Sequence, residues 1–368
     1  MNHHRVKFIG LFPVIALWLS MCLWAWGKPA DETSLSERRT LAQLPELTVE
    51  SILSTGFMED FASYAVDQFP LRDGFRQLKA LATYFGFGQR DNNGIYIANG
   101  SAVKMEYPLD EASLDYAIQR FQQLYDLYLK DGANILFSIV PDKGYYLAEA
   151  SGHLSMDYEA LFETMEQSLP WAKFVDITGC LTADSYYRTD THWCQESLFP
   201  VAQRLCEALA ITPPRSGSFR LEVATQEFHG VYSGQSALPM EPDVLRYLTW
   251  PGWEDCTVYS YDTGETTSVY DLGKLESKDP YDIFLFGGMA IQTVTNPNAA
   301  EARELIVFRD SFGSSLVPLL AQAYSTITLV DTRYISPVQV GNYVNFQDKD
   351  VLMLYSTLVL NSSGTLRK

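Results

Sequence analysis

Short, continuously apolar segments that alternate with helical ones predict an α/β protein, a parallel sheet covered on both faces by helices. Three observations carry this reading. NILFSIV (134–140), ELIVF (304–308) and TITLV (326–330) lack the polar alternation of a half-exposed strand. Segments of helical period separate most of these runs. Between about 213 and 297 the alternation gives way to aromatic, Gly-rich, β-prone sequence. That stretch reads as a β-rich insertion into the α/β domain, well placed to wall a substrate groove beside the sheet's carboxyl edge.

Taken in order, the chain opens with Arg5 and Lys7 ahead of FIGLFPVIALWLSMCLWAW (8–26), nineteen residues without a charge. That length approaches the ~20 residues of a bilayer-crossing helix, and a basic flank stays cytoplasmic. Residues 1–27 are therefore expected to be an uncleaved signal-anchor, with the rest of the chain outside the cytoplasm. Ala25-Trp26-Gly27 also has the small-x-small form of a cleavage site. Residues 28–110 form a helical and hairpin region. One helix is expected over 53–73, stopping at Phe69-Pro70, and IYIANGSAV (95–103) reads as a hairpin bent at Asn99-Gly100.

Residues 111–368 make up the main domain with its insertion. Helices are expected over 111–130, 158–167, 195–209, 314–323 and 337–344. Further strands fall at 173–177 and 350–355, and YDIFLF (281–286) is strand-like.

Composition excludes several classes. Forty-seven per cent apolar residues and 22 tyrosines are incompatible with a disordered chain, and a net charge of −18 repels phosphate backbones, so no nucleic-acid partner is expected. Beyond Cys22, the cysteines at 180, 194, 206 and 256 show no metal-type spacing and read as structural thiols with at most one disulfide. Neither a metal nor a cofactor is called for.

Of five histidines, His3 and His4 precede the apolar run, His153 falls in a loop, and His229 lies in the turn-like FHGVYSG. His192 differs. In YYRTDTHWCQESL it follows Asp190 by two residues at a loop-to-helix junction, where a carboxylate can hold an imidazole as a general base. A helix-capping Asp and a His packed on Trp193 would give the same spacing. Strand ELIVF runs into Arg309-Asp310-Ser311-Phe312-Gly313 and then a helix. This puts Ser311 at the carboxyl edge where α/β sheets bind ligands, although an ordinary N-cap would also fit. Together, Ser311, His192 and Asp190 supply the nucleophile, base and orienter of serine acyl transfer.

RTDTHW (188–193), RDSFGSSLVPLL (309–320) and TITLVDTRY (326–334) resemble, in order, segments of the bacterial DHHW family, related to the SGNH-hydrolase-like alginate O-acetyltransferases of the AlgX/AlgJ type. DQFPLRD (67–73) and NGIYI (93–97) are similar to the region before that family's catalytic domain. The resemblance implies an SGNH-hydrolase-like domain with Asp190, His192 and Ser311 as its triad. It implies acetyl transfer on a cell-surface or secreted polysaccharide, with the acetyl group supplied by a membrane-bound O-acyltransferase partner. Thr191 stands where the family's name motif has His, and Met289 follows Gly287-Gly288 where Asn is expected. The amide of Gly288 is thus the remaining oxyanion candidate there. Lys143 at the sheet edge and Tyr232 and Trp253 in the insertion are weaker substrate-binding candidates, each also readable as an ordinary surface residue, and Arg309 could pair with an acidic sugar or simply with Asp310. A carbohydrate acetylesterase with the same triad and a non-catalytic glycan-binding or assembly scaffold are the alternatives.

Overall fold

The computed structural model describes residues 3–130, 132, 134–299 and 301–368, and the side chains from Phe12 onward. The chain divides into two compact units: residues up to Asn92 with Gly234–Pro239, and Asn93–Ser233 with Met240–Lys368.

The first unit opens with a helix over His3–Gly27. Residues 1 and 2 of the expected anchor, and the side chains of 3–11, lie outside what is described. Among the described residues no helix is long and apolar enough to cross a membrane. Thr33–Ser34 (β1) pairs with Arg39–Thr40 (β2). The helix expected over 53–73 is instead two, Gly56–Asp67 and Arg72–Leu81. Pro70 lacks an amide and pushes the preceding residue out of helical geometry, so the chain restarts through Leu71 at φ 57°. Gly234–Pro239 joins this unit through Arg76, which donates to the Gly234 carbonyl at 2.8 Å, and Asn92, which donates to that of Ser236 at 2.6 Å.

The second unit begins with the hairpin Ile95–Ala98 (β3) and Ser101–Lys104 (β4). Asn99 and Gly100 take φ 49° and 78°, the left-handed pair that Asn-Gly favours in a two-residue turn. The hairpin therefore belongs with the sheet-bearing unit, not with the 28–110 region. Tyr96 and Val103 pack on Leu147 and Ala148, and the Ala102 amide donates to the Arg188 carbonyl at 2.7 Å.

Asn134–Val140 (β5) and Lys173–Phe174 (β6) follow. Arg220–Phe228 (β7) and Asp243–Thr249 (β8) form a separate antiparallel ribbon. Thr257–Ser260 (β9), Thr266–Ser268 (β10) and Ile291–Thr295 (β11) come next. Glu301–Arg309 (β12), Tyr324–Val330 (β13) and Asp350–Ser356 (β14) complete the set. The main sheet has the order β10-β9-β11-β13-β12-β14-β5-β6. Its half from β13 to β6 is parallel, as the apolar runs predict. In the other part β11 pairs antiparallel with β13 and β9 with β11, so strands of the stretch read as an insertion extend the main sheet. YDIFLF is not a strand. Pro280–Ile283 is a 3-10 turn whose start the Asp279 carboxylate caps by accepting the Tyr281 amide, and Leu285 and Phe286 then take φ 53° and 63°.

The pleat sorts the core into two layers. Leu305, Val307, Leu352 and Leu354 face the helices Phe199–Ala208 and Gly313–Leu320. Ile306, Phe308, Val351 and Met353 face Glu111–Leu124 and Tyr158–Ser168. Adjacent residues point to opposite faces and both faces are covered, which is why these strands are apolar throughout. All five cysteines are unpaired, and Cys206 and Cys256 are buried as small apolar side chains.

Because β14 sits at the centre of the parallel half, Leu352→Ala should cost about 2–5 kcal/mol of unfolding free energy, measured by chemical denaturation. A cost under about 1 kcal/mol would contradict this core placement.

Candidate active site

The histidine-bearing loop is closed locally. Tyr186 and Trp193 form an isolated antiparallel bridge, and the Tyr187 amide donates to the His192 carbonyl at 3.1 Å. Asp243 on β8 accepts the Arg188 amide at 3.1 Å, and its other oxygen takes the Thr189 amide at 2.8 Å and hydroxyl at 2.6 Å. Thr189 in turn receives the Gly230 amide at 2.8 Å.

Inside that frame the Asp190 carboxylate is fully buried. Its Oδ1 accepts the His192 amide at 3.0 Å and ring Nδ1 at 2.7 Å, while Oδ2 accepts the Val231 amide at 2.8 Å. An ionised carboxylate can only accept, so the imidazole proton belongs on Nδ1. Nε2 then faces the Ser311 hydroxyl at 2.8 Å as an acceptor. Asp190 is therefore not a helix cap. Neither is Ser311: Phe312 occupies the N-cap position of the helix Gly313–Leu320, and no side chain caps it.

The serine-bearing elbow is held by its neighbours. Asp310 accepts the Phe312 amide at 3.0 Å with one oxygen and the Ser356 amide at 2.7 Å with the other, fixing the turn to the end of β14. Arg309 is wholly buried and cannot pair with an acidic sugar, correcting its substrate reading. Its guanidinium donates to Gln292 Oε1 at 3.1 Å, to Ser314 Oγ at 3.0 Å and to the Gly287 carbonyl at 3.2 Å. Desolvation lowers its pKa below the usual arginine value, with Asp331 and Asp310 among the charges that bear on it.

The remaining candidates divide. Gly288 is exposed, and a Cβ there would come within 3.2 Å of the Tyr334 hydroxyl. Tyr232 is buried, with its hydroxyl on Thr191 Oγ1 at 3.0 Å, so it offers no platform for a sugar ring. Lys143 begins the helix Lys143–Ser151 instead of sitting in a solvated turn, and its ammonium lies 5.1 Å from the Tyr232 ring centroid. Trp253, with Tyr247, Trp250, Arg220, Glu222 and Glu254, lines a cavity of 450 Å³ at the β7–β8 ribbon.

Two features have no local sequence signal. The Tyr281 ring stacks on His192 with centroids 3.9 Å apart at 7°. Its hydroxyl donates to Ser315 Oγ at 2.7 Å, and the Trp193 indole donates to that same oxygen at 2.9 Å and to the Phe312 carbonyl at 3.1 Å. This seam ties the base-bearing loop to the serine-bearing helix, and it explains a tryptophan directly after the histidine. Gly230 is the second feature, since a Cβ there would fall 2.3 Å from the Thr189 carbonyl carbon and 2.4 Å from Asp190 Cα.

Gly230→Ala should therefore push the Asp190 loop away while leaving the sheet intact. Turnover of any substrate processed through Ser311 should fall roughly a hundredfold, the order a 1 Å misplacement costs. Steady-state kinetics beside far-UV circular dichroism checks both halves, and a folded variant with wild-type turnover would contradict the cradle.

No family model matches the chain, and no curated protein matches it. Solved structures do match. A DHHW family protein from Eubacterium siraeum is 21% identical, with TM-score 0.60 over 76% of this chain and 98% of that one. Bacillus cereus PatB1, solved with a sulfonyl adduct, is 18% identical, with TM-score 0.54 over 72% of this chain and 95% of that one. The structural neighbours also include the O-acetyltransferase domain of Pseudomonas putida AlgJ, at 14% identity and TM-score 0.43 over 73% of this chain and 92% of that one. The first two matches establish the fold: this chain is built on the same framework as a DHHW family protein.

Proposed function

We propose that this protein is an SGNH-hydrolase-like serine O-acetyltransferase acting on a cell-surface or secreted polysaccharide. One observation carries the acyl chemistry: Asp190, His192 and Ser311 form an unbroken chain, 2.7 Å from carboxylate to Nδ1 and 2.8 Å from Nε2 to hydroxyl. The polysaccharide acceptor rests on the motif resemblance to the DHHW and AlgX/AlgJ proteins and on the shared fold.

In this mechanism Ser311 Oγ attacks the carbonyl carbon of an acetyl donor while His192 Nε2 takes its proton. Asp190, on Nδ1, stabilises the imidazolium that forms. Collapse of the tetrahedral intermediate passes that proton to the leaving group and leaves acetyl-Ser311. A sugar hydroxyl, deprotonated by His192, then attacks the acetyl carbon and restores the free serine. The amides of Phe312, Gly313 and Ser314 are committed to Asp310 Oδ1, the Asp310 carbonyl and the Ser311 carbonyl. The oxyanion donors in this reading are the amides of Ser311 and Gly288. An extracytoplasmic, membrane-held placement belongs to the same reading and rests on the uncharged run 8–26, while a membrane-bound O-acyltransferase as acetyl supplier follows from the family resemblance alone.

Ser311→Ala and His192→Ala should each lower kcat for an activated acetyl ester by roughly 10⁴-fold or more, with the double variant little worse, because the residues act as one unit. Asp190→Ala should be milder. A sulfonyl fluoride should label Ser311 and no other serine. Added oligosaccharide should carry the acetyl group; if acetate alone appears with every acceptor tried, the protein is an esterase. A folded Ser311→Ala protein with wild-type turnover removes the serine mechanism altogether.

A further inference from the structure

Lys143 follows directly after the sheet-edge residues Pro141 and Asp142, yet its side chain turns inward and is only 2% exposed. The ammonium donates to the Tyr187 carbonyl at 3.0 Å and the Arg188 carbonyl at 3.2 Å, and it also faces the Tyr232 ring. Two of its donors are taken by carbonyls and the ammonium faces a ring, so its buried side chain is turned into the protein and not toward a substrate. What it touches is informative. The two carbonyls lie two and three residues before Asp190. The Tyr232 hydroxyl bonds Thr191, which stands between Asp190 and His192, and the neighbouring Val231 amide bonds Asp190 itself. One buried cation thus braces both ends of the segment that carries the orienter and the base.

We infer that Lys143 is a positioning residue for the Asp190–His192 pair, holding their loop against Ser311 only while its ammonium is charged. The inference rests on the serine acyl-transfer reading. Hydrogen bonds from a charged donor are roughly twice as strong as neutral ones, and attraction to the face of an aromatic ring needs the charge. Burial pushes the Lys143 pKa down to about 7, opposed chiefly by the Asp190 and Asp243 carboxylates. Burial pushes Tyr187, Tyr232, Tyr281 and Cys194 the other way, above their ordinary values. None of those four loses a proton near neutrality. The sign follows: below its pKa Lys143 is charged and the loop is held, and above it the neutral amine releases the loop. Lys143 therefore governs the alkaline limb of the profile.

The test measures kcat and KM of the full chain with 4-nitrophenyl acetate from about pH 6 to about pH 9.5, with Ser311→Ala as the blank for spontaneous hydrolysis. Wild-type kcat should fall above roughly pH 7 along a single-proton limb. Lys143→Met should lose about tenfold in kcat with KM unchanged and should show no alkaline limb. Lys143→Arg, which stays charged throughout, should move the limb out of range and restore part of the rate. Tyr232→Leu removes the ring face together with the hydroxyl bond to Thr191 and should shift the limb to lower pH, which keeps the test decisive if Lys143→Met does not fold. Folded variants that keep the wild-type alkaline limb would overturn the inference while leaving the triad in place. If wild-type protein shows no turnover and a sulfonyl fluoride does not label Ser311, the acyl-serine reading fails and takes this role with it.

Discussion

A carboxylate removed from water must have its lone pairs satisfied by protein groups, and Asp190 imposes that demand on everything around it. Burying such a charge without partners would cost far more than one domain's stability can offset. Its partners are the His192 ring and amide and the Val231 amide. Supplying the last of these brings segment 229–231 so close that residue 230 has room only for a hydrogen. Asp243 then anchors the ribbon strand β8 to Arg188 and Thr189.

The serine side meets the same kind of demand differently. A parallel strand must end at the carboxyl edge with its next amides unpaired by the sheet, and Asp310 receives two of them, one from its own turn and one from β14. Arg309 fills the space beneath, and among the described residues its buried Nε has no hydrogen-bond partner, a cost borne beside the reactive hydroxyl. Its bond to the Gly287 carbonyl links the elbow to the turn after Phe286, where consecutive left-handed residues store backbone strain. Strain of this kind persists only where surrounding packing over-determines it. Here the Leu285 amide donates to the Val269 carbonyl, and the Gln292 side-chain amide donates to the Leu285 carbonyl.

These two halves give the site its chemistry. Each is rigid by itself, and the Trp193, Tyr281 and Gln195 contacts to Ser315 lock one to the other, so the imidazole needs no reorganisation to reach Ser311. A preorganised base and nucleophile on stiff elements suit acyl chemistry, in which the acceptor chooses between transfer and hydrolysis after the serine is acylated.

The sequence by itself determined what depends on neighbours along the chain. Continuous apolar runs identified the parallel strands, because a strand covered on both faces needs no polar alternation. Asn99-Gly100 set its hairpin turn, Pro70 marked a helix end, and Asp190 lay two residues before His192 because their contact is local. Only the tertiary structure decided what depends on distant partners. The same alternation logic could not say which edge β9–β11 would join, since an edge strand and a free hairpin share one pattern. Lys143 and Arg309 read as surface cations, yet each is buried because carbonyls and amides from far along the chain receive its donors. Tyr281 carried no signal, as stacking on an imidazole 89 residues earlier leaves no periodicity. Above all, Ser311 and His192 meet across 119 residues because a parallel strand, its crossover and a buried carboxylate fix both at one edge, and that coincidence exists only once the sheet has formed.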